Sequence, residues 1–119
     1  MLNLALLFLV VFQNPVREAS QSWISAKEGE LLEIYKDLHA NPELSFQESR
    51  TAGIMSTILK DLGFRVQENI GGHGVAGILE NGKGPVVLVR TDTDGLPITE
   101  KTGLAFASKV RAREQDGRE

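Results

Sequence analysis

Cysteine is absent from the 119 residues, which excludes disulfides, thiolate nucleophiles and thiolate metal ligands. Histidine is scarce. His39 and His73 are the two present, too few for a histidine-rich metal centre contained in this chain. Basic charge is short as well: 13 Lys and Arg against 16 Asp and Glu leave a net charge of −3. With a pI near 5.4, the chain has no electrostatic footprint for nucleic acid. No apolar run reaches the roughly 20 residues of a membrane-spanning helix. What is present, 41% hydrophobic and 24% charged residues, suits an ordinary globular chain with one small domain around one core.

The first residues stand apart. Leu4 to Phe12 is an unbroken apolar run, followed by a polar stretch from Gln13 to Ser22 that contains Pro15. Its length suits the central region of a signal peptide. Residues 1–22 are therefore expected to be a leader that exports the protein to a periplasmic or extracellular location, with residues 23–119 forming the body. Met1-Leu2-Asn3 lacks Lys and Arg, and Ala19, Ser20 and Ser22 are the small residues available for cleavage. A misplaced start codon or an apolar helix packed on the body is the alternative, which would leave the protein cytoplasmic. Lipid anchoring of the bacterial lipoprotein kind would need the missing cysteine.

Further along, Ser25-Ala-Lys-Glu28 reads as a capping box, followed by Leu31, Leu32, Ile34, Tyr35 and Leu38 at helical spacing. Asn41-Pro42 stops this helix, because the residue before a proline is pushed out of the α region. Ser45-Phe-Gln-Glu48 reads as a second capping box. The expected buried stripe of that helix is Met55, Ile58, Leu59 and Leu62, with Gly63 as a left-handed ending. Phe64, Val66, Glu68 and Ile70 then alternate as a half-exposed strand would, Glu68 being the imperfect member. Val75 to Glu80 is a second strand, and Asn81-Gly82 with Lys83-Gly84-Pro85 turns the chain into a third. That third strand, Val86 to Val89, is apolar on both faces and is expected inside a sheet covered on both sides. Two helices followed by a mixed sheet give an α/β layered domain. Val110 to Arg113 alternates as a strand, and Asp116-Gly117 is a hairpin turn whose return strand would have to lie beyond Glu119. A truncated sequence is expected on that ground, the alternative being a polar tail.

Asp92-Thr-Asp94 follows the apolar third strand directly. Carboxylates at the carboxyl end of a central strand sit where α/β sheets bind ligands. If Gly95 and Pro97 turn the backbone, the pair could hold a metal, or a metal-activated water, through one carboxylate oriented by the other. Asx-type turn formation by the same aspartates is the other reading, and the pattern leaves both open. Gly72-His-Gly74-Val-Ala-Gly77 matches a dinucleotide fingerprint, but that motif must open a helix and Asn81-Gly82 arrives too soon for one. An EF-hand loop fails on spacing. Asp92-Thr-Asp94-Gly95 after an apolar strand also resembles the nucleophile motif of haloacid-dehalogenase-like phosphatases, which continues with threonine where this chain has Leu96. His39 belongs at a helix end, where an imidazole suits the dipole. His73 falls in a solvated turn, and Trp23 and Phe106 read as packing or surface aromatics.

Taken in order, several blocks resemble the metal-dependent amidohydrolase/peptidase family that includes hippurate hydrolases, N-acyl-amino-acid amidohydrolases and auxin-conjugate hydrolases. They are Leu38-His-Ala-Asn-Pro-Glu-Leu-Ser-Phe-Gln-Glu48 with Thr51-Ala52, Gly74 to Leu79, Gly84-Pro85, Arg90-Thr-Asp-Thr-Asp-Gly-Leu-Pro-Ile98, and Glu100-Lys-Thr-Gly-Leu104 with Ala107-Ser108. The resemblance implies the amino-terminal part of a layered α/β/α zinc-peptidase-like catalytic domain. It implies two divalent metal ions, zinc or manganese, and a small-molecule amide substrate such as an N-acyl amino acid. A homodimer is expected when the protein is complete. The family's His-Ala-Cys-Gly-His-Asp metal-ligand block is absent from these 119 residues, so the chain is expected to be inactive as it stands. Asp94 matches an aspartate that orients a metal-ligand histidine in related metallopeptidases. Asp92 stands where those relatives have a histidine ligand. Both are candidates for supporting a metal site, and no direct metal ligand is expected here. Gly95 stands where the family most often has alanine, a departure with no evident chemical consequence.

Three readings follow: an amidohydrolase piece, a phosphatase piece using Asp92 and Asp94, or a non-catalytic secreted domain whose aspartates only form turns. The first predicts no tight zinc binding by the chain, and calorimetry returning sub-micromolar affinity would contradict it.

Overall fold

The computed structural model describes residues 14–113. It holds two helices, α1 (Pro15–Ala40) and α2 (Ser49–Asp61), and two strands, β1 (Arg65–Ile70) and β2 (Gly74–Ile78). The expected mixed α/β class is present, with a two-stranded antiparallel sheet. The chain divides between Ile34 and Tyr35 into two units. The apolar run Leu4–Phe12 and the turn at Asp116–Gly117 lie outside the described residues.

The start of α1 corrects the sequence expectation. Ser25 lies mid-helix, and the cap is Asn14, whose Oδ1 accepts the backbone N–H of Val16 at 3.1 Å and of Arg17 at 3.3 Å. Pro15 takes the first helical position, where a missing N–H costs nothing. The helix runs without interruption past residue 22, where the leader was expected to end. Its expected apolar stripe is not buried, since Leu31, Leu32 and Tyr35 are all exposed. The ending is as read: Asn41 bonds back to the Asp37 carbonyl through both its backbone N–H, 3.1 Å, and its side chain, 2.8 Å. Pro42 follows.

The second capping box is also corrected. Ser45 and Phe46 form a turn, with Phe46 at φ 64°, and Glu48 at the helix N-cap makes no capping bond. The work falls to Glu43. Its carboxylate accepts the Arg50 N–H at 2.9 Å and the Thr51 N–H at 2.7 Å, satisfying two donors that the first turn leaves without helical partners. At the other end Gly63, φ 83°, adopts the expected left-handed ending. The N–H of Phe64 reaches the Leu59 carbonyl and that of Gly63 reaches the Lys60 carbonyl, the paired bonds of a Schellman ending.

β1 and β2 pair from Arg65 opposite Ile78 to Ile70 opposite Gly74, with an irregularity between Gln67 and Ile70. The helix α2 packs on both strands. Glu68, the polar interruption in β1, has a reason to be there. It accepts hydrogen bonds from the Ser56 hydroxyl and the Lys60 ammonium, the latter at 2.7 Å. These donors, Lys60 first, hold its carboxyl below its ordinary value. Ser56, only 2% exposed, is thereby a buried hydroxyl with a partner.

Three expectations do not survive. Val86 to Val89 forms no strand and is at least 82% exposed at every position. No third strand joins the β1–β2 pair among the described residues, so these residues have no ladder to enter. Val110 to Arg113 is likewise irregular. No hydrophobic residue among those described is fully buried, and the expected stripe of α2 is half-buried at Met55, Ile58 and Leu59 and exposed at Leu62.

Four consecutive exposed β-forming residues are an association hazard. Sedimentation of the chain should show concentration-dependent association that the double substitution Val87→Lys, Leu88→Lys suppresses. A strictly monomeric chain with cooperative, concentration-independent unfolding would contradict this.

Candidate functional site

Asp92 and Asp94 lie on an irregular, exposed segment and not at the end of a buried strand. The Arg90 guanidinium engages Asp92 through two nitrogens, at 2.5 and 3.1 Å. Both side chains are well exposed, so solvent screens the pair and it contributes little to stability. Asp94 is exposed too. Its neighbour Gly95 is not free: the Gly95 N–H donates to the Glu43 carbonyl at 2.7 Å. A bend follows at Pro97-Ile98, closed by the Ile98 N–H on the Leu96 carbonyl at 2.8 Å. The turn expected after Asp94 is therefore present.

Two carboxylates that the sequence reading did not single out organise this region. Glu43 is the first. Burial works against its ionisation, but the backbone N–H groups of Thr51 and Arg50, the Thr51 hydroxyl and the Arg50 charge outweigh it and lower its pKa. Arg50 also binds both oxygens of Asp37, at 2.8 and 2.6 Å, tying the start of α2 to the end of α1.

The second is Glu100. It accepts from the Thr102 hydroxyl, from the Ser108 N–H at 2.6 Å and, at 2.8 Å, meets the His39 Nε2. His39 and Glu100 are mostly shielded from solvent. Around them the rings of Tyr35, His39 and Phe106 form a cluster with centroids 5.1 to 6.0 Å apart. His39 thus lies in the last turn of α1, where the sequence placed it, with Glu100 and Phe106 as neighbours that were not foreseen, and Phe106 takes the packing alternative of its two readings. Gln47 adds a further tie, donating its side-chain N–H to the Arg113 carbonyl at 2.9 Å.

Among the described residues no group of three or more His, Asp or Glu side chains is placed to hold a metal ion. The pair Asp92 and Asp94 does not amount to a donor set by itself. The glycine-rich stretch from Gly72 forms the β1–β2 turn and β2 and opens no helix, in keeping with its rejection as a dinucleotide loop. No helix among the described residues is long and apolar enough to cross a membrane.

No protein-family model and no solved structure matches this chain. Curated proteins do. Hippurate hydrolase from Campylobacter jejuni is 41% identical over 83 residues, covering 69% of this chain and 22% of that protein. N-acetyl-L-cysteine deacetylase from Bacillus subtilis is 39% identical over 97 residues, 81% of this chain and 22% of its own length. Thermostable carboxypeptidase 1 from Saccharolobus solfataricus is 37% identical over 101 residues, 83% and 24% respectively. The chain spans between a fifth and a quarter of the length of these relatives.

The Glu100 cluster carries a pH signature. Its donors, Thr102 first and His39 second, hold the carboxyl at about 2 against an ordinary 4.5. A carboxyl lowered in the folded state stabilises that state above its unfolded value, and the contribution is lost as pH falls from there through the folded value. Nuclear Overhauser contacts between the His39 and Phe106 rings should persist at about pH 3 and disappear only on further acidification. In Glu100→Gln they should be weaker throughout and lack that acid step. Loss of the contacts already near the ordinary carboxylate value in the unsubstituted chain would contradict the assignment.

Proposed function

Because this chain carries a segment of the amidohydrolase/peptidase family, we propose that it serves as part of an enzyme hydrolysing the amide bond of N-acyl amino acids or related small amides. The observation that supports this most is the identity shared with a hippurate hydrolase and with N-acetyl-L-cysteine deacetylase, two relatives named for removing different acyl groups from an amino acid. In the whole protein the segment would belong to a layered α/β/α catalytic domain, working as a homodimer and, if the leader acts as a signal peptide, outside the cytoplasm.

The reaction would be metal-dependent, using two divalent ions, zinc or manganese. Such ions, when bound, polarise the scissile carbonyl and supply hydroxide at neutral pH. The described residues do not make the ligand set, so this segment's part is support. Asp94 would orient a ligand side chain supplied from elsewhere in the protein, as carboxylates behind metal-bound histidines do. Asp92, held by Arg90, would border the same edge. The 119 residues alone would be inactive.

The test is a graft. The 83-residue stretch of the Campylobacter hippurate hydrolase that aligns with this chain is replaced by the corresponding residues from here. The graft should still hydrolyse hippurate, and Asp94→Asn within it should lower kcat by about 10- to 100-fold. A folded, metal-loaded graft without hydrolysis would refute the proposed function. An active graft indifferent to Asp94→Asn would refute the role given to that residue.

A further inference from the structure

The segment that bears Asp94 is anchored at both ends to one short stretch, residues 39–43. At one end the Gly95 N–H donates to the Glu43 carbonyl at 2.7 Å. At the other Glu100 meets His39 at 2.8 Å. The Gly95 contact is close in a second way. A methyl group on its α-carbon would lie 2.8 Å from the Pro42 Cβ, nearer than two carbon atoms approach without something moving, and a proline ring carbon has little room to give. A side chain at position 95 would therefore have a steric consequence here, which the sequence reading of Gly95 did not anticipate. The corner at Pro42-Glu43 is itself fastened, because the Glu43 side chain caps α2 through Arg50 and Thr51.

We infer that Glu43 is a positioning residue for Asp94: its carboxylate locks the Pro42-Glu43 corner to the start of α2, and its carbonyl then holds the residue next to Asp94. The chain of contacts is short and each link is visible. Helix α2 offers two N–H groups, the Glu43 carboxylate accepts both, the Glu43 carbonyl takes the Gly95 N–H, and Pro42 walls off the far side of Gly95. Asp94 is exposed and its side chain makes no hydrogen bond or ion pair among the described residues, so its placement is inherited from the backbone at Gly95. The value of this positioning for amide hydrolysis rests on the role proposed above for Asp94, whereas the clasp itself is independent of that role.

Amide hydrogen exchange on the whole 119-residue chain tests it without reference to activity. Glu43→Ala should lower protection at the Gly95 amide by about tenfold, the scale of one lost hydrogen bond. The amides of Gly63 and Phe64, which belong to the opposite end of α2, should keep theirs. Glu43→Gln, which retains one of the two acceptor oxygens, should restore part of the protection. The Asp94 side-chain carboxyl chemical shift should move and return with it. Unchanged protection at Gly95 in Glu43→Ala would overturn the inference. Should that variant lose protection everywhere, Gly95→Ala decides, since it leaves the α2 cap intact. It should lose protection at position 95 alone and regain it when Pro42→Gly removes the opposing Cβ. Protection at position 95 equal to that of the unsubstituted chain would overturn the clasp. A confirmed clasp together with an active graft indifferent to Asp94→Asn would separate this inference from the proposed function.

Discussion

Glu43 faces two ways. Its carboxylate receives the first free N–H groups of α2, and its carbonyl receives the Gly95 N–H from a segment some fifty residues further along the chain. A charged acceptor on a helix N-terminus gains from the hydrogen bonds and from the helix dipole together. The start of α2, the Pro42 corner and the segment carrying Asp94 therefore share one fastening point. Removing the side chain would loosen the helix start, the corner and the carbonyl it presents.

Polar fastening carries unusual weight because apolar burial contributes so little. No hydrophobic residue among those described is buried, while the buried side chains among them are those of Thr51 and Ser56. Thr51 offers its N–H to Glu43, and Ser56 donates its hydroxyl to Glu68. A typical hydrogen bond contributes about 1 kcal/mol net, and one to a charged group about 1.5–3. Carboxylates at positions 43, 68 and 100 thus do for this segment what a packed interior does for a larger domain. The segment spans less than a quarter of its relatives' length, and four apolar residues in a row at Val86 to Val89 remain uncovered.

Local chemistry was legible in the sequence, and tertiary chemistry was not. Gly63 ends α2 as its position demanded, Asn41-Pro42 ends α1, and the alternation from Phe64 marks β1. His39 lies in the last turn of α1 as its position implied, and Phe106 packs against it. The helix starts were misread because Ser25-Ala-Lys-Glu28 and Ser45-Phe-Gln-Glu48 match a capping pattern. Asn14-Pro15 and Glu43 satisfy the donors instead. Asn14 was hidden inside a stretch read as a leader. Glu43 acts seven and eight residues away in sequence, beyond any capping motif. Val86 to Val89 has the composition of a buried strand, but composition supplies no neighbouring strand to pair with. Glu100 gathers donors from Thr102, Ser108 and His39, and only folding brings the last of these near. The family blocks were the sequence's indirect signal, since the stretch from His39 to Glu43 and the stretch from Gly95 to Ser108 meet in space.

The clasp at Gly95 is the claim on which the placement of Asp94 depends. Scalar coupling transmitted through a hydrogen bond reports it directly, because the coupling exists only where donor and acceptor share a proton. In the isotope-labelled chain, a cross-peak is predicted between the Gly95 amide nitrogen and the Glu43 carbonyl carbon, beside the one joining Phe64 to Leu59 at the end of α2. A spectrum showing the Phe64 coupling but none from Gly95 to Glu43 would contradict the account.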